Sequence, residues 1–164
     1  MSSFKPKKKG VVVDIDGTIF DISERWNQCQ RFTKRSEMWN CVFDPEKIRK
    51  LDKPKHNVIN YIKDLSNKGY DIIFVSGRVE TLRDVTLEQF EKYNIPHTRL
   101  YLRPKGNFTK DVEYKSEIID QLLKEGYDIE LVIDDSKDIR EVIRQKFNIK
   151  TVDPDELSLG TEIG

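Results

Sequence analysis

The chain has 164 residues, of which 37% are hydrophobic and 35% are charged. We expect a single domain over residues 1–164, because this length suits one domain of ordinary size. Lys plus Arg and Asp plus Glu number 29 each, so the zero net charge favours no class of partner. No apolar run approaches the ~20 residues that a membrane-spanning helix needs, which excludes a transmembrane protein. The basic start has no signal-peptide pattern, so we expect a cytoplasmic location.

Short apolar runs alternate with amphipathic segments along most of the chain. The runs predict five strands, at residues 10–15, 71–76, 98–102, 130–134 and 149–152. Apolar residues at helical spacing lie between them, and glycines such as Gly69 and Gly126 end two of these segments. This alternation predicts an α/β fold with a doubly wound (Rossmann-like), five-stranded, mostly parallel sheet.

The segment after the first predicted strand is too long for a simple connection. We predict that residues 21–55, approximately, form a small helical insertion beside the functional site. Its aromatic residues either pack the insertion onto its host or stack on nucleic-acid bases; they are Trp26, Phe32, Trp39 and Phe43. Its two cysteines, Cys29 and Cys41, are expected to be reduced thiols, since no secretion signal is present. We expect a frayed basic arm over residues 1–9 and a loose tail from residue 157.

Polar motifs follow three of the predicted strands. They are Asp14-Ile15-Asp16-Gly17-Thr18 after the first, Ser76-Gly77-Arg78 after the second and Asp134-Asp135-Ser136 after the fourth. Ligands of open α/β sheets bind outside the carboxyl ends of the strands. The sequence therefore predicts that these three motifs line one crevice.

The carboxylates of these motifs predict a metal ion. Asp14 and Asp16 are two residues apart on an extended segment, so we expect both side chains to point the same way. With Asp134 and Asp135 beside them, the negative charges would repel one another unless a cation intervened. Ligands that are all oxygens favour Mg²⁺. Asp138 either adds a further metal ligand or is an ordinary acid in the first turn of a helix.

The order and spacing of these motifs resemble the haloacid dehalogenase superfamily of phosphotransferases, which also has a lysine at a helix start, here Lys115. The resemblance covers residues 11–147. It implies that Asp14 is the nucleophile that forms an aspartyl-phosphate and that Asp16 is the general acid and base. It also implies phosphoryl contacts from Thr18, Ser76 and Lys115. The implied Mg²⁺ ligands are Asp14, the main-chain carbonyl of Asp16, Asp134 and Asp135.

Three further residues resemble the 3'-phosphatase family of phage polynucleotide kinase-phosphatases. Arg25 lies eleven residues after Asp14, Arg78 directly follows Ser-Gly, and Asp111 lies four residues before Lys115. The resemblance implies removal of 3'-phosphate from nucleic-acid ends. Its implied substrate-binding residues are Thr18, Arg25, Ser76, Gly77, Arg78 and Asp111.

We predict that Arg25 and Arg78 lie at the mouth of the crevice and bind the substrate beyond its phosphate. The alternative is that both arginines only pair with nearby acids, such as Glu24, Glu80 or Asp111, and shape the loops. The chain contains no GxxxxGK[ST] phosphate loop, so no kinase activity is expected of it.

Other functions stay open at the level of sequence. The second enzyme hypothesis is a nucleotidase or small-metabolite phosphatase of the same superfamily. A non-catalytic binding scaffold is disfavoured, because every expected catalytic position is filled. The expected partner is a phosphorylated nucleic-acid end or a nucleotide, with no membrane and no obligate protein partner, in the cytoplasm or in a host cytoplasm if a phage encodes the chain. His56 and His97 receive no role.

Overall fold

The computed structural model describes residues 7–157 and residue 163. A five-stranded sheet forms its centre. Its strands are β1 (Lys8–Val13), β4 (Asp71–Val79), β5 (Arg99–Arg103), β6 (Tyr127–Ile133) and β7 (Thr151–Val152). A separate pair of two-residue strands, β2 (Phe20–Asp21) and β3 (Lys53–Pro54), runs antiparallel.

The sheet has the order β5-β4-β1-β6-β7, and every neighbouring pair is parallel. The first strand lies at the centre, where Val13 pairs with Phe74 of β4 and Ile133 of β6. The carboxyl ends of β1, β4 and β6 are therefore adjacent. The predicted α/β fold with a five-stranded parallel sheet is confirmed.

Helices cover both faces of the sheet. They are α4 (His56–Asn67), α5 (Arg83–Lys92), α6 (Asp111–Lys124) and α7 (Lys137–Phe147). Val11 and Val13 belong to one core cluster, whereas Val12 between them belongs to the other. Because alternate side chains of a strand point to opposite faces, a strand buried on both faces is apolar throughout. This explains the uninterrupted valine run of β1.

The insertion after β1 contains α1 (Ser23–Cys29), α2 (Arg35–Val42) and α3 (Pro45–Leu51), as the predicted helical insertion requires. The prediction of reduced cysteines is wrong, because Cys29 and Cys41 form a disulfide. The packing of α1 against α2 brings the Cα atoms of Cys29 and Cys41 within 5.6 Å of each other, a distance that a disulfide can span. This proximity depends on how two helices pack and is independent of the cell compartment.

Two strand boundaries differ from those predicted. The second strand of the core, β4, continues to Val79 through an irregular register after Val75, so Ser76-Gly77-Arg78 lies within the strand. The first strand begins at Lys8, so the end of the predicted basic arm is strand, and residues 1–6 lie outside the described residues. Of the predicted tail, Leu157 is buried and residues 158–162 and 164 are not described. No helix in the described part of the chain is long and apolar enough to cross a membrane.

Candidate active site

Asp14 directly follows β1 and is held in place at the edge of the sheet. Its backbone N–H donates to the carbonyl of Ile133 at 2.9 Å, and its side chain is buried. One carboxylate oxygen accepts a hydrogen bond from Lys115 Nζ at 2.9 Å, and the other accepts one from Thr18 Oγ1 at 3.0 Å. Both oxygens of the predicted nucleophile are thus oriented by neighbouring donors.

Lys115 lies one turn into α6 and joins two of the motifs. Its Nζ also donates to Asp134 Oδ2 at 2.8 Å, so one ammonium bridges the acids that follow β1 and β6. Burial by itself would lower the pKa of this lysine. The charges of Asp14 and Asp134 outweigh that effect and hold the pKa of Lys115 above its ordinary value. Lys115 is therefore a permanent cation beside Asp14.

The acids after β6 complete a cluster with Asp14. Carboxylate oxygens of Asp14, Asp134 and Asp135 lie within 4.8 Å of one another. Burial and then the charge of Asp14 raise the pKa of Asp134, and partial burial with the same neighbouring charges raises the pKa of Asp135. A hard cation would relieve this repulsion, and carboxylate oxygens are the ligands that Mg²⁺ prefers. The three residues therefore fit the Mg²⁺ that the superfamily resemblance implies.

Gly17 brings the backbone against this cluster. Its φ of +82° lies in the left-handed region, and a Cβ at this position would overlap the carboxylate of Asp135. Thr18 comes next, and its hydroxyl accepts a hydrogen bond from the backbone N–H of Asp135 at 3.2 Å while it donates to Asp14. The turn after β1 is thereby fastened to the turn after β6.

The carboxylate of Asp16 has partners different from those of Asp14. Arg25 Nη2 and Arg78 Nη2 each donate to its Oδ1 at 2.7 Å. Burial alone would raise the pKa of Asp16, but the charges and hydrogen bonds of Arg78 and Arg25 hold it well below its usual range. Asp16 lies outside the acidic cluster, and its predicted contribution to a metal site, through the main-chain carbonyl, stays a prediction.

The predicted position of the two arginines at an open mouth is wrong. Arg25 and Arg78 are 0% and 1% exposed, because both are enclosed between the sheet and the insertion. The alternative, that both arginines pair with nearby acids, agrees with the structure, but the acids are Asp16 and Asp52. The acids named as examples have other partners: Glu24 pairs with Lys53, Glu80 with Arg83 and Asp111 with Arg103.

Asp52 is a site residue that the sequence analysis missed. Its carboxylate accepts from Arg25 Nε at 2.8 Å and Arg25 Nη2 at 2.9 Å, and it lies 3.3 Å from Arg78 Nη2. Gln89 Nε2 is the fourth donor, at 3.1 Å, and Gln89 Oε1 also accepts from Arg78 at 2.8 Å. No motif marks Asp52, an isolated aspartate between α3 and β3 in a highly charged segment.

Ser76 and Gly77 lie in β4, the strand next to β1. The hydroxyl of Ser76 is buried and accepts from the backbone N–H of Arg78 at 3.1 Å. Asp111 lies close to Gly77: a Cβ built on Gly77 would be 2.9 Å from Asp111 Oδ1. Asp111 therefore lies against the strand that neighbours β1, and the contacts of the predicted substrate-binding residues with substrate stay a prediction.

The remaining candidates lie elsewhere. Asp138 is exposed in the first turn of α7 and is not a member of the acidic cluster found among the described residues. Trp39 stacks on Phe43 at 5.3 Å between ring centroids and meets Trp26 edge-on at 6.0 Å. These aromatic residues pack the insertion, which is the first of the two roles predicted for them.

Comparisons with known proteins agree with this geometry. The family model described as the phosphatase domain of polynucleotide kinase PNKP matches residues 8–156. No curated protein has a significantly similar sequence.

Several solved structures share the fold. The structure of a Pnkp1/Rnl/Hen1 complex aligns with a TM-score of 0.72 and 22% identity over 90% of this chain. A second structure, of the Pnkp1/Rnl/Hen1 RNA repair complex, has a TM-score of 0.71 and 22% identity over 90% of the chain. This chain covers only 45% and 43% of those two proteins. A phospho-aspartyl intermediate analogue of phosphoserine phosphatase aligns with a TM-score of 0.55 and 19% identity, over 89% of this chain and 86% of that one.

Proposed function

The chain belongs to the family of PNKP phosphatase domains and is a phosphatase of the haloacid dehalogenase superfamily, and we propose that it removes 3'-phosphate from nucleic-acid ends in a Mg²⁺-dependent reaction. One observation carries the catalytic part of the proposal. The buried carboxylate of Asp14 is oriented by Lys115 and Thr18 and lies against two further acids. An anionic nucleophile that approaches an anionic phosphate needs such an arrangement of fixed positive charge and metal ligands.

In the proposed reaction, a carboxylate oxygen of Asp14 attacks phosphorus and the ester oxygen of the nucleic acid leaves. The resulting aspartyl-phosphate is then hydrolysed by water, which releases phosphate and regenerates Asp14. Asp14, Asp134 and Asp135 would hold Mg²⁺, which supplies positive charge that offsets the charge of the phosphoryl group. Lys115 stabilises the same developing charge from within the protein.

Asp16 is the proposed proton carrier for both half-reactions. Because Arg25 and Arg78 hold its pKa low, it is ionised at neutral pH and ready to accept a proton from the attacking water. The first half-reaction needs a protonated Asp16 that donates to the leaving oxygen. A bound substrate phosphate would favour that protonation, because a nearby negative charge raises the pKa of a carboxyl group.

The nucleic-acid substrate is supported by the family match and not by the arginines, which are enclosed. The aligned Pnkp1/Rnl/Hen1 structure is described as an RNA repair complex, so we include RNA ends with DNA ends in the proposal. The two Pnkp1/Rnl/Hen1 structures are complexes of several proteins. The proposed activity of this chain does not depend on whether it binds protein partners. We propose a repair role in the cytoplasm.

The proposal is tested by phosphate release from matched substrates in the presence of Mg²⁺. We expect kcat/KM to be highest for 3'-phosphorylated oligonucleotides, lower for 3'-mononucleotides, and lowest for 5'-phosphorylated oligonucleotides of the same sequence. Equal kcat/KM for oligonucleotides and mononucleotides would favour a nucleotidase instead. Lys124→Ala, at the exposed end of α6, is a suitable control for preparation quality.

A further inference from the structure

Phe108 stands out on the surface of the molecule. It lies between β5 and α6 and is 94% exposed. The other exposed large apolar side chain among the described residues, Trp26, is only 37% exposed and contacts Trp39. A single exposed apolar side chain is common on protein surfaces, so its ligand is inferred from the charges around it and from its place beside the active site.

The segment that presents Phe108 is braced by hydrogen bonds on both sides of it. Asn107 Oδ1 accepts from the backbone N–H of Thr109 at 3.0 Å and from its hydroxyl at 2.7 Å. The guanidinium of Arg103 donates to the carbonyl of Thr109 and to Asp111, and it lies 5.1 Å from the centre of the Tyr114 ring. The backbone on either side of Phe108 is therefore preorganised, which reduces the entropy lost when a ligand binds.

This segment leads directly into the active site. Asp111 lies against Gly77, and Lys115, which contacts Asp14, is one turn further along α6. Two residues, Thr109 and Lys110, separate Phe108 from Asp111, so their Cα atoms are at most ~11 Å apart. Phe108 thus lies on the segment that joins β5 to the helix that carries Lys115.

The charges around Phe108 define the kind of ligand it suits. Lys105 and Lys110 flank it, both are exposed, and neither forms an ion pair in the described part of the chain. The nearest acid in sequence, Asp111, is neutralised by Arg103. An aromatic face between free cations is complementary to a single-stranded nucleic acid, whose bases stack and whose phosphates are negative.

We propose that Phe108 stacks on a base of the substrate strand, close to its 3' end, while Lys105 and Lys110 contact backbone phosphates. This inference rests on the proposed function, because it adds the part of the binding site that recognises the strand beyond the terminal phosphate. It assigns the preference for a strand over a mononucleotide to Phe108 and its flanking lysines.

The experiment measures binding of a fluorescein-labelled 3'-phosphorylated hexanucleotide by fluorescence anisotropy, in an Asp14→Asn background that prevents turnover. Phe108→Ala is expected to raise Kd by roughly 5- to 150-fold, which corresponds to the usual loss of one stacked base. Phe108→Trp should restore binding, because its ring stacks equally well. Lys105→Ala and Lys110→Ala should each reduce the slope of log Kd against log salt by about 0.7, whereas Lys124→Ala should not.

Abasic substitution in the strand locates the stacked base. At one abasic position, Phe108→Ala and its parent should have the same Kd. The base normally present at that position is the one that stacks on the Phe108 ring. Unchanged Kd in Phe108→Ala, or a change in oligomeric state without a change in Kd, would overturn the inference. Such a result would leave the proposed function intact, since hydrolysis of 3'-phosphorylated ends by the chain with Asp14 in place is measured separately.

Discussion

Arg25 and Asp52 form an ion pair in which neither side chain has any exposed surface. The pair joins α1 to the end of the insertion, and its guanidinium continues to Asp16, 2.7 Å away. Arg78 reaches Asp16 and Asp52 from β4 in the same way. The insertion therefore positions the proposed proton carrier through Asp52, which has no contact with the acidic cluster.

Replacement of Asp52 by Asn should destabilise the protein and impair catalysis together. Removal of one partner from a buried ion pair leaves an uncompensated charge, so we expect the free energy of unfolding to fall by ~3–5 kcal/mol. Denaturant unfolding measures this change. Asp64→Asn, which breaks an exposed pair with Lys68, is the control and should cost ~1 kcal/mol or less. Equal effects of the two variants would show that Asp52 is not a structural support of the site.

Gly17→Ala should displace Asp135 and weaken Mg²⁺ binding. The new methyl group would overlap the carboxylate of Asp135 at a backbone φ of +82°. Gly69 has a φ of +96° with no atom within 4 Å of a built Cβ, so Gly69→Ala is a matched control for backbone strain alone. We expect the Mg²⁺ concentration for half-maximal activity to rise at least tenfold in Gly17→Ala. An equal Mg²⁺ concentration for half-maximal activity in both variants would contradict the close approach of Gly17 to Asp135.

The acidic cluster should make stability depend on pH when Mg²⁺ is absent. Burial and then the charge of Asp14 raise the pKa values of Asp134 and Asp135 above the ordinary 3.8. A raised carboxyl pKa means that the folded state binds more protons than the unfolded state, so this contribution is present below pH ~4 and is lost as the pH rises through the folded pKa values.

Asp16 contributes with the opposite sign, since its lowered pKa gives stability above pH ~4 that is lost in stronger acid. In the presence of a chelator, Tm should therefore decrease as the pH is raised above about 4. Added Mg²⁺ should increase Tm most at high pH. Asp135→Asn should reduce this slope. A profile in the chelator that is flat, or that rises with pH, would show that the cluster is not strained by its own charge.

The Cys29–Cys41 disulfide should stabilise the insertion. It closes a loop with a sequence separation of 12, for which the chain-entropy model gives ~3 kcal/mol. Treatment with a dithiol reductant should lower the denaturant midpoint. The double variant Cys29→Ser, Cys41→Ser should have a low midpoint that the reductant does not change. An unchanged midpoint after reduction, with both thiols titratable, would contradict this prediction.

The sequence predicted the parts of the site that are encoded locally. Asp14, Gly17 and Asp134 follow strands whose apolar runs are plain in the sequence, so the sheet itself brings them together. The environment of Arg25 could not be predicted, because its partners Asp52 and Val42 are distant in sequence and meet it only after the insertion folds. The same is true of the disulfide, which depends on how two helices pack.

The central claim is that Asp14 carries the phosphoryl group during turnover. Acid quenching during hydrolysis of a 3'-phosphorylated oligonucleotide, followed by borohydride reduction and peptide mass spectrometry, tests it directly, because reduction converts a phosphorylated aspartate into homoserine. We predict homoserine at position 14, dependent on substrate and Mg²⁺, and none at Asp16, Asp134 or Asp135. Homoserine at any other aspartate, or its absence from position 14 while phosphate is released at the full rate, would contradict the account.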